Sequence, residues 1–282
     1  MDQPEETPEN PPPNHFDESV AAGYDDSTAT MAEPAVLDPT LDLLTELAAG
    51  GETLELGIGT GRVALPLAAR GVPVHGIDLS PQMVARLRAK PGGDAIPVAI
   101  GDFATTRVEG SFSLAYLIFN TITNLTTQDA QVDCFRNVAE HLAPGGRFLI
   151  EVGLPELDRL TAAGDAGETG NAEDIGHRKP AGPFPPAAPG NTVLFRAGPP
   201  VWGFDVYDTA TQAMSSNHVE IVDGRGTFRS IPFRYVWPAE MDLMARLAGL
   251  RPYARWEDWD RTPFTSRSRR IVAVWEKPAA PA

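Results

Sequence analysis

A single cysteine, Cys134, in 282 residues excludes an intramolecular disulfide and any zinc site built on paired cysteines. Long hydrophobic runs are missing as well: no stretch approaches the ~20 apolar residues that a bilayer-crossing helix needs. The amino terminus lacks a basic segment followed by an apolar run, so no secretory signal is expected and a cytoplasmic location is. Positive charge is scarce, with 23 Lys and Arg against 38 Asp and Glu and a formal net charge of −15. Such a surface repels phosphate backbones and anionic lipid, which argues against nucleic acid and membrane as partners. The one local exception, Arg267, Arg269 and Arg270, is a short cluster beside a candidate strand.

An apolar fraction of 42% is enough for an ordinary buried core. Residues 1–18, which include Pro11-Pro12-Pro13, have too little apolar content to repay ordering and read as a disordered tail. Leu37, Leu41, Leu44 and Leu47 then fall on one helical face that ends at Gly50-Gly51. Short apolar runs follow at 53–56, 72–79, 96–100, 114–119 and 147–152, with helical patterns between them. Ser80-Pro81 opens one of these helices, and Thr126 with Asp129 resembles the capping box of another. This alternation predicts an α/β fold: a Rossmann-like, mostly parallel sheet with helices on both faces. A core over 19–155 is expected, then a flexible Gly/Pro-rich loop at 161–190 and a β-rich lid, together spanning 156–236. Within the lid, antiparallel strands are expected at 192–196, 202–207, 218–222 and 227–235, with Asp223-Gly224 as a hairpin turn. A helix from Pro238 and two strands, near 253–256 and 271–275, complete the core over 237–282.

The chemistry concentrates in Glu55-Leu56-Gly57-Ile58-Gly59-Thr60-Gly61, between a strand and a helix. Glycines there let the backbone bend and approach a ligand without a Cβ in the way. Dinucleotide sites need a further glycine three residues after the second, where this chain has Arg62. Glu55 before the loop disfavours a pyrophosphate and suits a ligand with positive charge. Asp78, at the end of the next strand, is placed to accept from both ribose hydroxyls. Asp102 and Phe103, after the third strand, are placed for an adenine.

These stretches, together with Gly76-Ile77-Asp78-Leu79-Ser80, Gly101-Asp102-Phe103 and the turn at 142–146, resemble the class I S-adenosylmethionine-dependent methyltransferases, in particular their small-molecule, natural-product-like group. The resemblance covers about residues 20–155 and the closing helix and strands. It implies S-adenosylmethionine as cofactor, with the glycine loop (Gly57, Gly59, Gly61) at the methionine part, Asp78 and Leu79 at the ribose, and Asp102 and Phe103 at the adenine. It also implies that Tyr24, in Ala22-Gly23-Tyr24-Asp25, helps to close the site, and that the β-rich insertion is a lid over a small-molecule substrate.

Phe119-Asn120-Thr121 ends the fourth strand beside the expected methyl position, so Phe119 is counted with the cofactor wall. Asn120 is a candidate for orienting the substrate, or a plain turn residue. His218, in the lid with Asp205 and Tyr207 near it in sequence, is a candidate proton acceptor or a structural histidine. Trp202, Phe204, Tyr235 and Trp237 form a substrate wall or, as the stronger reading, the packing that holds the lid; Cys134 reads as a buried small residue. The expected reaction is methyl transfer to a nitrogen or oxygen of a small molecule; with no base evident, an amine or a readily ionised group is favoured. A cofactor-binding regulator without turnover and a nucleotide-dependent oxidoreductase remain the alternatives, and a homo-oligomer stays open.

Overall fold

The computed structural model describes residues 14–155, 191–196 and 201–279. The expected loop at 161–190 and most of the expected amino-terminal tail lie outside these residues. The sequence expectation for 14–18 needs correcting. Asp17 caps the first helix, accepting from the amides of Ser19 and Val20, and the Phe16 carbonyl accepts from the Ser80 hydroxyl at 2.5 Å.

Among the described residues, eleven strands form two sheets. The larger has the order β10-β11-β5-β4-β1-β2-β3, where β1 is Thr53–Leu56, β2 Val74–Asp78, β3 Val98–Ile100, β4 Phe112–Leu117, β5 Leu142–Gly153, β10 Arg251–Trp256 and β11 Arg270–Glu276. Its first five strands are parallel, and β11 and β10 join antiparallel. All four residues of β1 are buried, as a central parallel strand covered on both faces requires. The chain reverses its direction across the sheet between β1 and β4, and ligands of such sheets bind at the carboxyl ends of the strands flanking that point.

Helices α1 (Glu18–Ser27), α2 (Pro34–Ala48), α3 (Ala64–Ala69), α4 (Pro81–Arg88), α5 (Gln128–His141) and α6 (Pro238–Leu247) surround the sheet. One face packs Leu44, Leu47, Leu67 and Leu87 of α2–α4 against Leu114, Tyr116 and Leu149. The other packs Phe135 and Val138 of α5 and Met241 and Met244 of α6 against Phe112, Phe148 and Trp275. Phe135 meets Phe148 and Trp275 edge-on at 5.1 and 5.5 Å between ring centres, the preferred aromatic geometry. Cys134 is fully buried here, and burial raises its thiol. The cap of α5 is one residue later than the sequence suggests: Thr127, not Thr126, accepts from the Ala130 amide.

The second sheet is antiparallel, in the order β6-β7-β8-β9, with β6 Asn191–Arg196, β7 Val201–Tyr207, β8 Ala213–Val222 and β9 Arg225–Arg234. Asp223 and Gly224 turn between β8 and β9 with φ of 51° and 74°, the left-handed pair that a two-residue hairpin demands. The base of this sheet rests on α5 and α6 through Arg234, which reaches Gln131 at 2.5 Å and Glu240 at 2.7 Å. Tyr235 stacks between Tyr207 and Trp237, so these rings hold the sheet to the core, while Trp202 stands 40% exposed. Among the described residues, no helix is long and apolar enough to cross a membrane.

Candidate functional site

At the reversal point the loop after β1 bends through Gly57, Gly59 and Gly61, all at positive φ. At Gly57 (φ 73°) a Cβ would stand 2.6 Å from the Thr121 methyl, so both the conformation and the space demand glycine. Gly59 donates its amide to Asp78 Oδ2 at 2.6 Å, and Ser80 donates to Oδ1 at 2.8 Å. A side chain at Gly61 would instead crowd Leu65 and Leu87, so that glycine serves packing of the loop on α3 and α4.

Tyr24, Glu55, Gly57, Gly59, Arg62, Phe119 and Thr121 line one cavity, whose enclosed part measures about 40 Å³. A larger open hollow of about 490 Å³ lies at the other end of the sheet strands, lined mostly by apolar groups such as Leu65, Val72 and Val74. It has no carboxylate and no glycine bend of this kind, and we place the chemistry at the smaller cavity. Glu55 is buried there and receives the Tyr116 hydroxyl at 3.2 Å. Burial pushes its carboxyl up to about 8, partly opposed by that hydroxyl and by Arg62. The same cause raises Asp78, opposed by its two backbone bonds.

The amino-terminal segment is fastened across this loop. Asp25 accepts from the Thr60 hydroxyl at 2.6 Å and pairs with Lys90 at 2.7 Å, while Glu18 pairs with Arg86. These contacts set Tyr24 over the cavity with its hydroxyl raised by burial. Opposite it, Phe119 and Asn120 are consecutive non-glycine residues at φ of 57° and 60°. Each such residue costs about 1–3 kcal/mol unless its surroundings compensate. The Arg62 guanidinium lies 5.3 Å from the centre of the Phe119 ring.

The site residues expected from sequence therefore divide. Tyr24, Glu55, Gly57, Gly59 and Phe119 share the cavity, and Asp78 is hydrogen-bonded to Gly59. Asp102, Phe103 and Leu79 follow strands further along the same edge and do not line it. Asp102 accepts from Ala104 in its own turn, and Phe103 is buried. Asn120 accepts the Gly153 amide on its side-chain Oδ1 at 2.6 Å. His218 stands in β8, opposite Arg229 of β9, and does not line the cavity; Ser216 Oγ is 3.4 Å from its Nε2. Arg62, Asp25 and Lys90 were not among the expected site residues. For Arg62 the sequence carries a signal, a cation seven residues after Glu55 on a glycine loop.

An acid and a guanidinium on one glycine bend complement an amino-acid zwitterion, its ammonium at Glu55 and its carboxylate at Arg62. Burial favours the neutral Glu55 acid in the ligand-free protein, a bound ammonium would return it to its charged form, and a pyrophosphate offers it no such counter-charge. The donor set therefore fits the methionine end of S-adenosylmethionine.

Residues 53–146 match the family model described as a methyltransferase domain. The CcbJ methyltransferase of Streptomyces caelestis is 33% identical, with 86% of this chain and 89% of that one covered and a TM-score of 0.68. This chain is an S-adenosylmethionine-dependent methyltransferase. The methyltransferase is also 26% identical to the cypemycin N-terminal methyltransferase of Streptomyces sp over 94% of its own length and 98% of that protein. Its fold is shared with S-adenosylmethionine-bound CalS10, an amino pentose methyltransferase of Micromonospora echinaspora, at 19% identity, 92% and 94% coverage and a TM-score of 0.55. Membership of this family sets aside the oxidoreductase and the regulator without turnover.

Proposed function

We propose that this methyltransferase methylates a nitrogen of a small molecule, an amine of a natural-product-like compound. The presence of Glu55 and Arg62 in one cavity with Gly57 and Gly59 supports the reading of the site. The choice of nitrogen is supported by the cypemycin N-terminal methyltransferase and the amino pentose methyltransferase CalS10. Glu55 and Arg62 would hold the ammonium and carboxylate of the cofactor, Asp78 and Leu79 its ribose side, Asp102 and Phe103 its adenine side, with Tyr24 and Phe119 as walls. The bound cofactor supplies a methyl group made electrophilic by its sulfonium. The chain's own residues bind, orient and exclude water; alignment of nucleophile and methyl accounts for several kcal/mol of barrier lowering, on the order of the ~7–11 kcal/mol available to well-oriented reactants.

The sheet of β6–β9 would be the substrate lid. Arg229 of β9 is in register with His218 of β8, so the two side chains share one face of this sheet. A neutral amine needs only to have shed its proton, and His218 is the acceptor we offer, with Asn120 as a backbone-shaping residue at the mouth.

Calorimetry with S-adenosylmethionine, S-adenosylhomocysteine and NAD, followed by mass spectrometry of a panel of amines and phenols, tests this reading. Binding of the first two and mass gain on amines are expected; methylation confined to phenols would overturn the nitrogen assignment. Asp78→Ala should weaken S-adenosylmethionine binding by about 1–3 kcal/mol through the lost acceptor. An unchanged affinity would remove Asp78 from the ribose.

A further inference from the structure

The wall of the cavity opposite Tyr24 is a turn that its own sequence disfavours. Phe119 and Asn120 both occupy the left-handed region, where a side chain crowds its own backbone. A conformation of this kind persists only where the surroundings over-determine it. Most of the bonds that do so come from one strand end. Glu151, near the carboxyl end of β5, accepts the Phe119 amide on its side-chain Oε2 at 2.6 Å, and its own carbonyl receives the Asn120 amide at 3.3 Å. Two residues on, the Gly153 amide donates to the Asn120 side chain at 2.6 Å. The turn is then closed locally, the Thr121 hydroxyl donating to the Ile118 carbonyl and the Thr123 hydroxyl to that of Asn120.

The consequences reach the cofactor loop through two side chains. The Phe119 ring lies under Arg62, and the Thr121 methyl abuts the α-carbon face of Gly57. A Phe119 amide released from Glu151 could leave the left-handed region, and the ring and the methyl would move with it. Glu151 does not line the cavity; it acts on it only through the turn.

We propose that Glu151 is a positioning residue for methyl transfer: its carboxylate, by holding the Phe119 amide, fixes the Phe119–Asn120–Thr121 turn and thereby sets Arg62 and the glycine loop for the cofactor. This rests on the reading that the cofactor's methionine end occupies the cavity at Gly57 and Gly59.

The test uses the full chain and three replacements. Glu151→Gln keeps an acceptor oxygen at the same reach, Glu151→Asp keeps the charge but is too short, and Glu151→Ala removes both. Hydrogen exchange over residues 117–124 of the ligand-free protein reads the turn directly. Calorimetry with S-adenosylmethionine and S-adenosylhomocysteine reads the site, and thermal melting checks the fold. Exchange should accelerate in the Ala and Asp variants and stay slow in Gln. Affinity should fall by about tenfold in Ala and Asp, the scale of one charge-assisted bond, and stay within about threefold of the parent in Gln. Melting temperatures of Gln and Asp should match one another, which separates positioning from a general loss of stability. Equal weakening in Gln and Asp would mean that charge or bulk, and not the held amide, matters, and would overturn the proposal. So would unchanged exchange and affinity in both Ala and Asp. Phe119→Ala separates the two readings: if it leaves cofactor affinity unaltered, the cavity assignment fails, whereas weakening by Phe119→Ala without weakening by Glu151→Asp sinks the positioning role alone.

Discussion

The two sheets of this methyltransferase are held by different means. In the seven-stranded sheet, side chains do the work: β1 is buried throughout, and Phe112, Phe148 and Trp275 are closed from solvent. In the four-stranded sheet, residues 225–230 of β9 are all exposed, and Phe228 is 65% exposed. There the ladder hydrogen bonds of β8 and β9 carry the structure, and attachment depends on a buried polar junction at the base. Arg234 and Glu240 meet there, with Gln131 bridging to the carbonyls of Ile122 and Leu125 and Gln212 to that of Tyr235. A packed sheet gives a rigid edge for a site, whereas a sheet tethered at one end can shift against it, as the proposed substrate lid would have to.

Replacing Arg234 should break this contrast most strongly. Arg234→Ala leaves Glu240 and Gln131 without their buried partner and should cost about 3–5 kcal/mol, read by chemical denaturation. A loss below about 1 kcal/mol, the range of exposed ion pairs, would show that the junction is not what holds the lid.

Gly57→Ala should come next, because it adds a Cβ 2.6 Å from Thr121 Cγ2 at φ 73°. A loss of about 1–3 kcal/mol of stability is expected, with weaker S-adenosylmethionine binding by calorimetry. Wild-type affinity would mean that the loop and the Phe119 turn are not coupled.

Glu55 sharpens the comparison through pH. Its folded carboxyl sits near about 8 against the usual 4.5, so the fold favours the neutral acid. Its contribution to stability is complete below the usual value and is lost as pH rises through about 8. In ligand-free protein, Glu55→Gln should therefore flatten the decline in melting temperature between about pH 4.5 and 8, the window between the usual and the raised value. A decline of the same slope in both proteins would assign the titration elsewhere.

The smallest effect belongs to the hairpin. Phe228→Ser should change stability by no more than about 0.5 kcal/mol, as exposed substitutions do. A larger loss would place a buried contact on a strand whose side chains face solvent, and the distinction between the two sheets would narrow.

The legibility of the sequence follows the same division. The parallel core was readable because its strands are apolar runs of the right length and its helices repeat with period 3.6, as in Leu37, Leu41, Leu44 and Leu47. The glycine bend with Asp78 was readable because only glycine tolerates those backbone angles at that contact. Arg62 is marked locally by its place on the glycine loop seven residues after Glu55, but Glu151 and Asp25 are not. Each acts through a partner more than 30 residues away or across the sheet, so no local pattern marks it. The capping of α5 was misplaced by one residue because Thr126 and Thr127 carry the same hydroxyl, and only the turn geometry chooses between them.

By itself the chain's order of residues determined the alternation of strands and helices, the bend at Gly57–Gly61 and the family to which they point, because those depend on short-range sterics and on apolar periodicity. Which distant groups reach that bend was decided only by folding. Tyr24 and Phe119 come to line one cavity with Glu55 and Arg62, and Glu151 holds the Phe119 amide, because parallel strands far apart in sequence end at one edge and burial there leaves each polar group to find its partner in space.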